Sequence, residues 1–190
     1  MKGLRVGFAL CGSFCTFSKA IPQMVELVEY GCDILPIMSE NARTTDTRFG
    51  KANDFINQIE DICKKKIIKS ISEAEPIGPK NLVDVMLIAP CTGNTLGKIS
   101  NGITDTTVTM AAKSHLRVGG PVLIALATND ALGASAQNIG KLLNTKNVYF
   151  VPMSQDDPYK KPNSLVAKFD LIRPSLELAY KGEQIQPVFC

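Results

Sequence analysis

A short apolar run closed by small polar residues, followed by a stretch of helical periodicity, recurs along this chain and restricts the folds open to it more than any other feature. Residues 4–10 (LRVGFAL) form the first run, ended by Cys11-Gly12-Ser13, and residues 20–30 then place Met24, Leu27 and Val28 on one helical face. Strands covered on both faces read as continuous apolar runs, and glycine ends them where the chain turns sharply. Gly31 closes the helix, residues 32–38 (CDILPIM) give a second run, and Ser39-Glu40-Asn41-Ala42 follows as a polar turn able to start a helix. One strand–helix–strand unit is complete within about forty residues.

The pattern then continues. Residues 43–50 (RTTDTRFG) are polar, and residues 51–63 place Phe55, Ile56, Ile59 and Ile62 on one helical face. Lys64-Lys65-Lys66 suits a solvated helix end, where cations oppose the dipole. Residues 66–71 (KIIKSI) predict a short strand, and residues 73–79 (EAEPIGP), interrupted by two prolines, predict a rigid exposed loop. Residues 83–89 (VDVMLIA) are the next strand, followed by residues 90–95 (PCTGNT) and a helix through Ile99. Residues 122–127 precede Thr128-Asn129-Asp130 and a helix over residues 134–143, and residues 148–151 end the series at Pro152. The expected fold class is α/β, a doubly wound parallel sheet in a Rossmann-like three-layer sandwich, with residues 1–190 as one domain.

Composition excludes several classes. With 190 residues, 45% of them hydrophobic, the chain can bury a real core, which sets aside disorder. Its net charge of +3, from 21 basic and 18 acidic residues, is too small and dispersed for a nucleic-acid or membrane surface. No apolar run approaches the ~20 residues of a membrane span, and the N-terminus has no secretory pattern, so a soluble cytoplasmic protein is expected. The six cysteines lie far apart without a Cys-x-x-Cys pair, and His115 is the only histidine. Free thiols and no metal follow, with His115 expected at a helix surface or an interface.

In a parallel sheet of this kind, ligands bind beyond the carboxyl ends of the strands. Here those ends carry Gly12-Ser13, Ser39, the segment containing Pro90, Thr92, Asn94 and Thr95, and Thr128-Asn129. Glycine lets backbone approach a ligand, hydroxyls donate to phosphate oxygens, and helix N-termini present unpaired N–H groups. A phosphorylated cofactor is the natural occupant. Neither Gly-x-Gly-x-x-Gly nor Gly-x-x-x-x-Gly-Lys-Ser/Thr is present, which argues against NAD in its usual pose and against ATP. Cys91 reads first as a packing residue, and Lys160-Lys161 either as a charged loop or as a closure over an anion.

The run from Ala89 to Asp105 (APCTGNTLGKISNGITD) resembles the Pro-Ala-Ser-Ala-Asn-Thr segment and following Gly-Ile-Ala-Asp of the FMN-binding cysteine decarboxylase flavoproteins, a family related to the flavin prenyltransferases. Cys11-Gly12-Ser13 matches that family's early Thr-Gly-Ser loop, and Ser39 its Ser/Thr after the second strand. The resemblance implies FMN, or a phosphate or sulfate in its place, against Gly12, Ser13, Ser39, Pro90, Thr92, Asn94 and Thr95. It also implies a homo-oligomer, with residues 106–116 apolar enough for an interface helix. The decarboxylases' histidine base has no counterpart, since residues 40–80 contain no histidine, whereas their carboxylate-binding asparagine is retained as Asn129.

Further segments are similar to the B subunits of dipicolinate synthases from spore-forming bacteria: residues 44–50 (TTDTRFG), 73–81 (EAEPIGPKN), 128–130 (TND) and 161–167 (KPNSLVA). That resemblance implies a role in sporulation, in oxidising a dihydrodipicolinate-type precursor to pyridine-2,6-dicarboxylate, beside the A subunits of dipicolinate synthases, which carry the NADP site. A cytoplasmic location in the mother cell goes with it. One alternative is a non-catalytic assembly subunit that binds FMN or phosphate, and another is an FMN-dependent decarboxylase-like flavoprotein. Such an oxidation needs a hydride acceptor, a base and donors for two carboxylates. On that reading Arg43, Arg48 and Asn129 bind the dicarboxylate, and Glu75, or Glu73, is the base.

Overall fold

The computed structural model describes residues 2–190. Five parallel strands, β1 (Arg5–Leu10), β2 (Asp33–Met38), β3 (Val85–Cys91), β4 (Val122–Thr128) and β5 (Val148–Phe150), lie in the order 2-1-3-4-5. Phe8 stands opposite Pro36 on one side and Leu87 on the other, which sets the central register. The helices are α1 (Phe17–Glu29), α2 (Glu40–Thr44), α3 (Ala52–Cys63), α4 (Ile71–Ala74), α5 (Gly93–Ser100), α6 (Thr107–Arg117), α7 (Ala136–Leu143) and α8 (Ile172–Tyr180).

Successive strand side chains point to opposite faces, so each central strand feeds two cores. Val6, Phe8 and Leu10 face Met24 and Leu27 of α1, Ile59 of α3 and Leu176 of α8. Ala9, Ile88 and Ile124 face Leu96 of α5, Val108 and Ala112 of α6, and Ile139 of α7. Each large apolar side chain buried this way contributes about 1.5–3 kcal/mol, and both layers depend on the same strands. The doubly wound parallel sheet with helices on both faces is thus present.

Two short antiparallel strands extend it, β6 (Met153–Ser154) and β7 (Leu165–Ala167). β5 pairs with β4 at Val122–Ile124, and β7 takes the same edge further on, at Ala127 and Thr128. At two and three residues, these strands are too short for alternation to register in the sequence. The strand expected over residues 66–71 reduces to a single bridge between Ile37 and Ile68.

Two expectations are corrected. Residues 73–79 are not an exposed loop: Ser70 and Glu73 form a capping box on α4, a 3-10 turn at Glu75–Ile77 follows, and Ala74 and Ile77 are buried. Pro76 is tolerated because it occupies the start of that turn, where no N–H is needed. His115 is not on the surface but 2% exposed. It continues the stripe Val108, Ala111, Ala112, which α6 presses onto the sheet. The same stripe turns most of the apolar part of residues 106–116 inward, leaving Met110 and Leu116 partly covered and Ile103, just before the helix, exposed.

Burial lowers the pKa of His115 below its ordinary 6.5, opposed only in part by Asp84 and the Pro121 carbonyl. The unfolded chain therefore takes up this proton first as pH falls, and folding stability declines below about pH 6.5. The urea midpoint is expected to drop from pH 7 to pH 5, and His115→Leu to flatten that dependence. A midpoint constant over this window in the wild-type chain would remove His115 from the pH response.

Candidate functional site

The order 2-1-3-4-5 reverses direction between β1 and β3, so the loops leaving these two strands diverge to opposite faces. A cleft of about 730 Å³ opens at their carboxyl ends. On the β1 side it is lined by Gly12 and Ser13. The Ser13 carbonyl accepts from the Thr16 N–H (3.0 Å) and from Thr16 Oγ1 (2.7 Å), which fixes the turn. Among the described residues Ser13 Oγ itself has only Cys15 Sγ, 4.0 Å away, and is left for a ligand.

On the β3 side, Thr92 caps α5: its Oγ1 accepts from the Thr95 N–H (3.3 Å) and donates to Thr95 Oγ1 (3.2 Å). The remaining first-turn N–H groups, at Gly93 and Asn94, have no carbonyl within the helix to bond. A Cβ on Gly93 would lie 2.6 Å from Thr128 Oγ1, so α5 begins in direct contact with the end of β4. From that strand come Asn129 and Asp130, the latter accepting from Thr128 Oγ1 and, at 3.0 Å, from Ser135 Oγ. Among the described residues the side-chain amides of Asn94 and Asn129 make no hydrogen bond, and both line the cleft.

Two cations complete it, Lys19 and Lys161. Asp156, 3.0 Å from Lys161, holds that ammonium protonated by raising its pKa. Hydroxyls, amides, first-turn N–H groups and two ammoniums around one cleft form a donor set for a phosphate ester. Asp130 takes both hydroxyls on Oδ1, which offsets part of its charge, so it opposes an anion less than a bare carboxylate would.

Of the residues singled out in the sequence, the cleft gathers Gly12, Ser13, Thr92, Asn94 and Asn129. Ser39 is committed elsewhere: it is buried, and its Oγ accepts from the Ala42 N–H at 3.3 Å as the cap of α2. Thr95 is buried behind Thr92, and Pro90, joined to Ala89 by a cis bond, offers its carbonyl to the Cys11 N–H at 3.1 Å. Arg43 lies on α2 with Nε buried and unbonded, and Arg48 sits on the adjoining loop, 4.9 Å from the Phe49 ring centre. Glu75 is remote. It pairs at 3.3 Å with Arg117 in the last turn of α6, which leads into the first residue of β4, so both lie at the amino ends of the strands, opposite the cleft.

Cys11 and Cys91 are buried side by side beneath the cleft, where their mutual hydrogen bond and burial push the Cys91 thiol well up. The same hydrogen bond lowers the pKa of the Cys11 thiol. Phe14 and Lys19 also line the cleft and are not flagged by sequence motifs, and Phe49 joins them from within residues 44–50 without being singled out. Their one signal is proximity to the Gly12-Ser13 turn or to the polar segment over residues 43–50. Among the described residues no cluster of three His, Cys, Asp or Glu side chains is placed to hold a metal. Because Ser39 caps a helix, Ser39→Ala is expected to cost about 1 kcal/mol of stability, read as a lower denaturation midpoint. An unchanged midpoint would mean that the hydroxyl is not needed for that cap.

The family model described as Flavoprotein matches residues 1–170. The B subunit of dipicolinate synthase from Bacillus subtilis (strain 168) is 46% identical over 188 residues, covering 99% of this chain and 94% of that protein. The crystal structure of the dipicolinate synthase B subunit from Bacillus halodurans superposes with a TM-score of 0.91 at 46% identity, covering 100% of this chain and 97% of the other. An FMN-dependent cysteine decarboxylase, SpaF, shares the fold at a TM-score of 0.69 and 21% identity, over 93% and 97% of the two chains. Among the described residues no helix is long and apolar enough to cross a membrane. By the extent of the family match and by its near full-length identity to these relatives, the chain belongs to the Flavoprotein family.

Proposed function

We propose that this chain is the flavoprotein-like subunit of an oxidoreductase that forms pyridine-2,6-dicarboxylate, and that its cleft holds FMN. The observation that carries the reading is the convergence of free donors at the β1/β3 switch in a chain 46% identical over 99% of its length to a dipicolinate synthase component. The residues present fit FMN through the chemistry of their donors. Ser13 Oγ, the Asn94 side chain and the start of α5, which Thr92 caps, suit the phosphate, with Lys161 adding charge. FMN, when bound, supplies a reversible two-electron acceptor.

The chain's own residues bind and orient. Conversion of a dihydropyridine dicarboxylate to the aromatic ring releases a hydride and a proton, with the hydride passing to NADP⁺ on a nicotinamide-binding partner, the synthase's A subunit. Aromatisation supplies much of the driving force, so the task left to this chain is holding the dianion in register. Asn129 at the cleft and Arg48, on the loop that carries the cleft residue Phe49, are the donors for its carboxylates, and Arg43, on α2, lies outside the cleft lining. Asp156 is paired with Lys161, Asp130 takes the Thr128 and Ser135 hydroxyls on Oδ1, and Glu75 stands at the amino ends of the strands. This arrangement leaves the second oxygen of Asp130, solvent or the partner as the proton acceptor. The chain acts in the cytoplasm of the mother cell as a homo-oligomer, with Ile103, 46% exposed, among the surfaces for self-association.

The test measures dipicolinate by its ultraviolet absorbance, from the precursor, with this chain, the nicotinamide-binding partner and NADP⁺ in every combination. Full rate is expected only when all are present. Equal rate from either protein alone would refute the shared role. In parallel, Ser13→Ala combined with Asn94→Ala is expected to weaken FMN binding about tenfold or more, since a hydrogen bond to a charged group is worth ~1.5–3 kcal/mol. Unchanged affinity would place the cofactor elsewhere.

A further inference from the structure

Beside the polar cleft lies a second cavity of about 460 Å³ with a different character, walled by Phe14, Phe17, Phe49 and Phe55, with Cys15 and Gln58 among its few polar neighbours. Phe17 anchors the group: it is 1% exposed, meets Phe55 edge-on with ring centres 4.9 Å apart, and lies 5.5 Å from Phe14. Phe49 closes the cavity from the opposite loop and is 47% exposed. That loop is braced. Thr47 and Gly50 exchange backbone hydrogen bonds of 3.0 and 3.1 Å, and Asp46 Oδ1 accepts from the Ala52 N–H at 2.8 Å to cap α3. Gly50, at φ +149°, is seated against the Phe55 ring, where a Cβ would come within 2.8 Å. The backbone under Phe49 is therefore held while its ring stays half in water.

Apolar ring surface kept wet on a braced loop favours an occupant that covers it, and aromatic walls favour a planar ring by offset or edge-on stacking. The rim adds charge selection. The Arg48 guanidinium lies over Phe49, 4.9 Å from its centre, and Lys19 lies on the cleft side, one residue beyond the Ser18 wall. Among the described residues neither cation has an ion-pair partner. The cavity meets the cleft along Phe14, Cys15 and Phe49, which line both. We infer that this cavity is a subsite for a planar aromatic carboxylate, its ring against Phe14, Phe49 and Phe55 and its carboxylates toward Arg48 and Lys19. This rests on the proposed function for the identity of the natural occupant, a pyridine dicarboxylate ring of about a dozen heavy atoms, within the range such cavities accept.

The experiment is calorimetric titration of the full chain, saturated with FMN, using three dianionic probes: dipicolinate, isophthalate and the saturated diacid pimelate. Both aromatic acids are expected to bind, with pimelate at least tenfold weaker. Phe49→Ala and Arg48→Gln, on an exposed loop and checked for unchanged melting, are each expected to weaken the aromatic acids about tenfold, equivalent to ~1.4 kcal/mol, and Arg48→Gln, outside the cleft lining, to spare FMN. No binding of either aromatic acid, or equal affinity for pimelate, would overturn the subsite. So would a Phe49→Ala variant that loses FMN but keeps the aromatic acids, because the cavity would then serve the flavin ring. The proposed function is separated by turnover: aromatic acids that bind as expected without dipicolinate formation in the presence of the nicotinamide-binding partner leave the subsite standing and remove the assigned reaction. Turnover with unaltered affinity in both variants removes the subsite and leaves the reaction.

Discussion

β1 and β3 are neighbours in the sheet but not in the chain, and the site depends on that adjacency. Because the crossovers on either side of this pair leave toward opposite faces, no helix closes over the gap between their carboxyl ends. The Cys11 N–H bonded to the Pro90 carbonyl at 3.1 Å ties the two loops together at that point. From there Ser13 is turned up on one side and Thr92 on the other, and α5 starts against β4 where Gly93 leaves room. Both hydrophobic layers hold the arrangement, since β1 and β3 contribute alternate side chains to each. Loosening either core would separate donors that one ligand must contact together.

Charge acts locally in this molecule. A net charge of +3 spread over 190 residues produces no field able to select an anion, so recognition falls to a few groups at short range. Ion pairing decides which of them remain available. Lys161 is held by Asp156, and Asp130 by two hydroxyls, whereas Ser13, Asn94 and Asn129 keep their side chains for a ligand. The polar cleft and the aromatic cavity then divide the work, the first offering hydrogen bonds and the second ring surface, with Phe14, Cys15 and Phe49 as their common wall.

Much of this is legible in the sequence because it depends on local patterns. The apolar runs locate β1 to β5, and the small polar residues after them locate Gly12, Ser13, Thr92, Asn94 and Asn129 at the cleft. What pattern alone cannot separate is a hydroxyl that caps a helix from one left free: Ser39 and Ser13 stand at equivalent places, and only Ser39 is spent on its own backbone. Glu75 reads as a candidate base in a segment expected to be an exposed loop, yet its place at the amino ends of the strands follows from packing against α6, a contact 42 residues away. His115 shows the opposite failure, since the 3.6-residue stripe containing it is readable and its polarity conceals it. The aromatic cavity draws on residues from the start of α1, the polar loop and α3, and no local window contains them all.

Amide hydrogen exchange of the full chain with and without FMN tests the central claim most directly, because it reports backbone groups one segment at a time. Slower exchange on adding FMN is expected at residues 12–16 and 92–95, where free N–H groups and turn backbone meet the cleft, with no change around Glu75 and Arg117. Protection confined to the Glu75 edge, or none at either loop under saturating FMN, would contradict a flavin site at the β1/β3 switch.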